Sequence, residues 1–312
     1  MSNVDSDEHH PVLLAEVIQA LKIKPNGKYI DCTFGRGGHS REILKSLDST
    51  GRLLAIDQDD QAIEYGKKMF PDDSRIIFKH INFSQIVEVA QQNNFAQQVN
   101  GIFFDLGVSS PQLDNPQRGF SFMQDGPLDM RMNTKQGLSA AEWLQNVSEN
   151  ELERVLKEFG QERYSRRIAK AVMKKRQVQA ITTTKELADL VMGVLGRSRE
   201  QKHPATRTFQ AIRIFINKEL ESFSAALEAC VALLANSGRL LVITFHSLED
   251  QLVKNLVHAY THSKLPRKLP VVEKQEVKLR RVCKAIKPSV EEVSKNARAR
   301  SAKLHVLEWV GC

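Results

Sequence analysis

Tyr29-Ile30-Asp31-Cys32-Thr33-Phe34-Gly35-Arg36-Gly37-Gly38-His39 is the stretch that decides the fold. A short apolar strand runs straight into a glycine-rich turn, and the pattern then changes to a helix carrying Ile43, Leu44 and Leu47 on one face, closed by Gly51. Upstream, Pro11 is followed by Leu14, Val17, Ile18 and Leu21 at helical spacing, ending at the Pro25-Asn26-Gly27 turn. Downstream, a second strand (Arg52 to Asp57) leads to a helix over 60–69. A third strand (Arg75 to Phe78) leads to a helix over 84–92, and a fourth runs from Gly101 to Asp105. Strict β-α alternation predicts an α/β fold: a Rossmann-like, doubly wound, mostly parallel sheet with helices on both faces. In such sheets ligands bind beyond the carboxyl ends of the strands, where the strand order reverses.

After Asp105 the rhythm breaks. Residues 107–137 read as loop, with Gly107, Pro111, Pro116, Gly119, Gly126 and Pro127. Helices follow without strands. Ser148-x-x-Glu151 opens one with Leu152, Val155, Leu156 and Phe159 inward, a basic helix covers 163–176, and Thr183-x-x-Glu186 opens a third ending near Gly196. A single long helix is predicted from Thr206 to Ala235, after which the sheet resumes at Gly238–Phe245. Ser301–Trp309 reads as the last strand, with another around Val277–Cys283. Two domains are expected: a discontinuous core over 1–110 and 205–312, and an inserted all-helical domain over 111–204 that recognises substrate.

The 312 residues, 41% hydrophobic and 26% charged, suffice for about two globular cores. Net charge is +8, and residues 264–303 hold thirteen Lys/Arg against four Glu, which points to a polyanionic partner or to a solvated basic segment. The four cysteines (Cys32, Cys230, Cys283, Cys312) are too scattered for a zinc site or a disulfide framework. His9-His10 has no accompanying ligand cluster, so no metal is expected. The opening MSNVDSDEHH is too acidic and polar for a signal peptide, and no apolar run reaches membrane-spanning length, so a cytoplasmic protein without a membrane partner is expected.

The Gly35–Gly38 loop lets backbone approach a ligand at a helix start, and Asp57, 22 residues past Gly35, can accept ribose hydroxyls. Both features are common to dinucleotide oxidoreductases and methyltransferases, although a full G-x-G-x-x-G would need glycine where Ser40 stands. A glycine turn with a chance acidic neighbour is the bland alternative. It explains poorly why Asn82-Phe83 follows the third strand and Asp105 ends the fourth, so that successive strand ends offer Gly, Asp, Phe and Asp.

At the segment Asp105-Leu-Gly-Val-Ser-Ser-Pro-Gln-Leu-Asp114 the chain resembles one family, the bacterial 16S ribosomal RNA cytosine-N4 methyltransferases, or MraW family. The likeness spans nearly the whole chain. It includes His10-Pro-Val-Leu-Leu14, Asp31-Cys-Thr-Phe-Gly-Arg-Gly-Gly-His-Ser40, Arg118-Gly-Phe-Ser-Phe122, Asp125-Gly-Pro-Leu-Asp-Met-Arg131, His203-Pro-Ala-Thr-Arg-Thr-Phe209, Phe245-His-Ser-Leu-Glu-Asp250 and Asn296-Ala-Arg-Ala-Arg-Ser301. Cys32, where relatives are expected to carry glycine, is a mild departure. The resemblance implies a class I methyltransferase fold, S-adenosylmethionine as donor, and as target the cytidine beside the P-site codon in 16S rRNA of the small ribosomal subunit. It also implies cofactor contacts at Gly37, Gly38, His39, Asp57, Phe83, Asp105 and Gln112, to which the loop reading adds Gly35; His39 and Gln112 come from the resemblance alone.

A cytosine amine is a weak nucleophile, so methyl transfer to it needs in-line alignment and acceptors for the amine hydrogens rather than a strong base. Lack of an evident thiolate nucleophile disfavours carbon-5 methylation. Asp105, Ser109 and Ser110 are the candidate acceptors, although the serines could simply shape the turn. Ser110-Pro111-Gln112 matches the DNA amino-methyltransferase motif only in part, lacking its second proline and aromatic. Phe120 or Phe122 could stack on an unstacked base or anchor the loop. His246 is a candidate lining residue, Ser247-x-x-Asp250 reads as a helix cap, and Asp129/Arg131 is either a local ion pair or an RNA contact. The basic helix and the C-terminal Arg/Lys run are expected on phosphates. A DNA amino-methyltransferase, a nicotinamide oxidoreductase and a non-catalytic ribosome-assembly factor are the competing readings. Oligomeric state is open, a homodimer included.

Overall fold

The computed structural model describes residues 11–196, 203–261 and 278–311. Seven strands form one sheet: β1 (Lys28–Asp31), β2 (Arg52–Asp57), β3 (Ile76–His80), β4 (Val99–Asp105), β5 (Leu234–Thr244), β6 (Leu279–Arg281) and β7 (Lys303–Trp309). Their order is β3-β2-β1-β4-β5-β7-β6, parallel from β3 through β5, with β7 antiparallel to both β5 and β6. The chain winds outward from β1 to β3 and then crosses to β4, so the order reverses between β1 and β4. Helices α1 (Leu14–Leu21), α2 (Gly38–Lys45), α3 (Asp60–Met69) and α4 (Ile86–Gln92) fill the connections.

Alternate residues of each central strand feed two separate cores, because successive side chains leave opposite faces of a sheet. Ile30, Leu54, Phe104 and Val242 enter one core with Ile86 and Phe223, while Tyr29, Leu53, Phe103 and Leu241 enter the other with Val17 and Leu44. Both faces being covered explains why β2 and β4 read as continuous apolar runs rather than alternating ones.

The chain divides into two compact units, Met1–Gly107 with Ser222–Cys312, and Val108–Glu221. The second is helical: α5 (Ser110–Asp114), α6 (Ala140–Asn146), α7 (Glu149–Glu158), α8 (Ser165–Val178), α9 (Thr184–Leu195) and α10 (Thr206–Ile216). Leu144, Leu152, Leu156, Ile168, Leu187 and Ile212 share its core. Capping boxes open α6 (Ser139 with Glu142) and α9 (Thr183 with Glu186), and the Ser148 side chain caps α7. Arg176 of α8 donates to the carbonyls of Leu144 and Val147 at 2.8 and 2.6 Å, satisfying the C-terminal end of α6.

The single long helix expected from Thr206 to Ala235 is two helices, α10 and α11 (Glu219–Leu233). Lys218 between them has φ of 49°, and Asn217 turns its side chain to the loop, accepting from the Met132 amide and donating to the Met130 carbonyl, each at 2.7 Å. The compact helical unit therefore runs to Glu221 rather than 204: Phe209, Ala211 and Ile212 of α10 lie in its core. The predicted loop over 107–137 contains α5 and a 3-10 turn at Pro116–Arg118. Strand β6 falls inside the predicted span, and α12 (Ser247–Thr261), α13 (Val290–Lys295) and a 3-10 turn at Ala297–Ser301 complete the described chain. His9-His10 and most of the basic run before Lys278 lie outside the described residues. Among the described residues no helix is long and apolar enough to cross a membrane, no group of three or more potential metal ligands occurs, and Cys32, Cys230 and Cys283 are free thiols.

Candidate functional site

Carboxylates end the three strands around the reversal point: Asp31 on β1, Asp57 on β2 and Asp105 on β4. Asp31 and Asp57 are tied by their carboxylates to the neighbouring backbone. Asp57 accepts the amides of Gly35 at 2.8 Å and Asp59 at 2.9 Å, which fixes the glycine loop against β2. Asp31 accepts the Ser40 hydroxyl at 2.7 Å and the Thr33 amide at 3.1 Å, and Thr33 Oγ1 in turn accepts the Asp105 amide at 2.7 Å. Asp31 and Thr33 were not singled out from sequence, although an Asp closing an apolar strand is the same signal that marked Asp57 and Asp105.

Burial makes all three carboxyls reluctant to ionise. It pushes Asp31 up to about 6, against the hydrogen bonds from Ser40 and Thr33, and Asp57 up to about 7, against those from Asp59 and Gly35. Asp105 is raised to about 8 by burial, then by the negative charges of Asp31 and Glu249. Its Oδ1 is buried with no hydrogen-bond partner among the described residues, and its Oδ2 lies 3.9 Å from His39 Nδ1, too far for a hydrogen bond. His39 itself is buried, its Nε2 is 3.0 Å from the Val12 carbonyl, and burial holds it down at about 4, so it is neutral.

Gly38 opens α2 under Pro11; a Cβ there would stand 2.2 Å from Pro11 Cγ, so only glycine fits. Gly35 and Gly37 both have positive φ. Phe83 follows β3 and packs edge-on to Phe104, centroids 5.5 Å apart, so its ring belongs to the core as well as to the rim.

Beyond β5 the string Phe245–Asp250 does more than cap a helix. Buried Glu249 accepts the Phe245 and His246 amides at 2.7 and 3.2 Å, and its Oε1 is 3.0 Å from His246 Nε2 without hydrogen-bond alignment. Asp250 turns away from α12 to Thr244 (2.9 Å), His305 (2.8 Å) and Lys303. Sequence reading took Asp250 for part of an N-terminal cap; in the fold it ties β5 to β7.

Other expected site residues lie in the helical unit. Ser109 is the N-cap of α5, and its amide donates to Gln112 Oε1 at 3.0 Å, so both take part in a capping box that Ser110 and Pro111 continue. Phe120 is buried in the helical core, and Phe122 stacks on His203 with centroids 4.4 Å apart. Asp129 and Arg131 form a two-pronged local ion pair (2.6 and 2.9 Å), which outweighs burial and lowers the Asp129 carboxyl. On α8 and just before it, Arg163, Arg166, Arg167, Lys170 and Lys174 are exposed, whereas Arg176 is engaged by α6 carbonyls.

The rim fits a cofactor that carries positive charge. A sulfonium or an ammonium beside these carboxyls would favour their ionised forms, which burial otherwise disfavours. The Asp105 oxygen without a partner among the described residues, and Asp57 at the end of β2, are the groups that could act as acceptors for such a ligand. The strand order and the antiparallel β7 make this an α/β, mostly parallel seven-stranded sheet that carries a helical insertion. Residues 6–310 match the model of the MraW methylase family. The chain belongs to that family. It is similar to proteins named ribosomal RNA small subunit methyltransferase H. With the one from Nitrosococcus oceani it shares 50% identity over 99% of both chains, with that of Idiomarina loihiensis 50% over 98% of both, and with that of Coxiella burnetii 46% over 97% of this chain and 99% of the relative.

Proposed function

We propose that this chain methylates the exocyclic N4 amine of a cytidine in the decoding centre of 16S rRNA, beside the P-site codon, in the small ribosomal subunit of the cytoplasm. The relatives' shared name supports the substrate class. The observation that carries the chemistry is the Asp105 carboxyl, which ends β4 beside the reversal point with Oδ1 buried and without a partner among the described residues.

When bound, S-adenosylmethionine supplies an activated methyl group on a sulfonium. Gly35, Gly37 and Gly38 keep the first loop low enough for close approach, Asp57 accepts ribose hydroxyls, and Phe83 lines the adenine side. His39, neutral and held by the Val12 carbonyl, fills the wall next to Asp105. Gln112 is assigned to the same cofactor, although its Oε1 also caps α5. Asp105 accepts an amine hydrogen and so favours the pyramidal nitrogen of the transition state, with Ser109 and Ser110, which follow it closely in the chain, as further acceptors. A positive neighbour favours the ionised form of Asp105, so cofactor binding prepares the acceptor. The inserted helical unit recognises the RNA, with the exposed cations of α8 on phosphates.

The test is transfer of labelled methyl from S-adenosylmethionine to small ribosomal subunits, followed by nucleoside analysis. Labelled N4-methylcytidine is the expected product. Label in DNA, in protein, on carbon 5 or in no acceptor overturns the reading.

A further inference from the structure

The opposite end of the sheet carries a second feature that methyl transfer does not use. A cavity of about 620 Å³ opens at the amino ends of the parallel strands; among the described residues it is lined by Lys22, Lys24, Arg239, Arg280 and Arg281 with a single carboxylate, Glu308. Glu308 is already shared: Arg239 Nη2 reaches its Oε2 at 3.0 Å and Arg280 Nη2 its Oε1 at 2.6 Å. Lys22, Lys24 and Arg281 are exposed and have no carboxylate partner among the described residues.

The cations are held there by the fold. Lys22 sits in the left-handed turn that ends α1, with φ of 47°, and Lys24 follows in the turn before β1. Arg239, buried beside Glu308 across the β5–β7 ladder, also donates to the Ala20 carbonyl and so links the end of α1 to the sheet. Arg280 and Arg281 project from β6, where Arg280 pairs with Glu308 in register. Five cations around one carboxylate repel one another in the free protein, and a bound polyanion relieves that repulsion.

We propose that this cavity is a second RNA-binding site, which takes phosphodiester groups of the substrate away from the reacting base. The proposal rests on ribosomal RNA being the substrate. Strand β4 spans Val99–Asp105, so its ends lie about 20 Å apart at ~3.3 Å per residue, and RNA in the cavity cannot be the nucleotide at the Asp105 rim. Contacts of this kind position RNA without reading sequence, and they favour a folded RNA or assembled subunit over a short oligonucleotide.

The experiment measures binding of the full chain to small ribosomal subunits across a salt series, for wild type and for the Lys22→Gln, Lys24→Gln, Arg281→Gln triple variant. The expected result is a log K against log salt slope shallower by about 2, at roughly 0.7–0.9 per phosphate contact. A raised KM for subunits should accompany it, with kcat and S-adenosylmethionine affinity within about twofold of wild type. Lys24→Arg should keep the wild-type slope, and thermal melting verifies that each variant is folded. A folded triple variant with wild-type slope and KM overturns the proposal. So does loss of tripolyphosphate binding with an unchanged RNA slope, which would assign the cavity to a small anion. Because the readout is binding, a wild type that binds subunits but transfers no methyl refutes the functional reading and leaves the cavity result standing.

Discussion

Asp57 and Gly35, 22 residues apart in sequence, are joined by a 2.8 Å hydrogen bond from the Gly35 amide to the Asp57 carboxylate. The bond makes one unit of the glycine loop and the carboxylate that the cofactor reading requires.

Asp57→Ala removes both that tie and the proposed acceptor for the ribose. Charge-assisted hydrogen bonds contribute about 1.5–3 kcal/mol, so affinity for S-adenosylmethionine should fall about ten- to a hundredfold. Calorimetric titration checks it; an unchanged dissociation constant in a folded variant would remove Asp57 from the cofactor site.

Asp105 gives a pH signature. Its carboxyl is raised from 3.8 to about 8, so between these values the folded cofactor-free protein holds a proton that the unfolded chain has released. Stability of the cofactor-free protein should therefore fall as pH rises from about 4 to about 8, and Asp105→Asn should remove that part of the slope. Affinity for S-adenosylmethionine should rise with pH up to about 8 in wild type, and much less in the variant. Parallel pH profiles for the two proteins would show that Asp105 does not face the cofactor.

Gly119 and Gly137 share a φ of 72° but differ in surroundings: a Cβ at Gly119 would stand 2.4 Å from the Pro127 carbonyl, and one at Gly137 meets nothing within 4 Å. Gly137→Ala should cost about 1–2 kcal/mol, the left-handed penalty alone. Gly119→Ala should cost a further 1–3 kcal/mol or more, because backbone has to move. Urea unfolding midpoints compare them directly, and equal losses would show that the Gly119 loop yields freely.

Asp250 predicts acid behaviour of the opposite sign. Burial raises its carboxyl, but hydrogen bonds from Lys303, His305 and Thr244 outweigh this and hold it at about 2, below the ordinary 3.8. Its contribution, about 2 kcal/mol, is present above pH 3.8 and is lost as pH falls through about 2. Asp250→Asn should be less stable than wild type by that amount near neutrality, and the two melting curves should converge toward pH 2. A constant gap down to that pH would mean that the cluster contributes no charge-dependent stability.

The parallel half of the sheet was legible because local signals coincide there. The apolar runs of β1, β2 and β4 end in Asp, and helical periodicity follows each of the first three strands. The break between α10 and α11 was not legible, because both helices continue one apolar stripe. The interruption comes from Asn217 binding the backbone of Met130 and Met132, far away in sequence. Asp250 was misread for a similar reason: Ser247-x-x-Asp250 has cap spacing, and only the antiparallel return of β7 brings Lys303 and His305 to it.

The amino-acid sequence by itself determined the α/β class, the helical insertion, the family and two of the three rim carboxylates, Asp57 and Asp105, because each depends on short-range periodicity or on contiguous strings. Tertiary structure alone decided which carboxyls are buried together, and hence why Asp105 is raised to about 8 while Asp250 is held at about 2. It also decided that Lys22, Lys24, Arg239, Arg280 and Arg281 share one cavity. Burial and charge proximity are sums over residues distant in the chain, and strand order, not spacing, sets which of them meet.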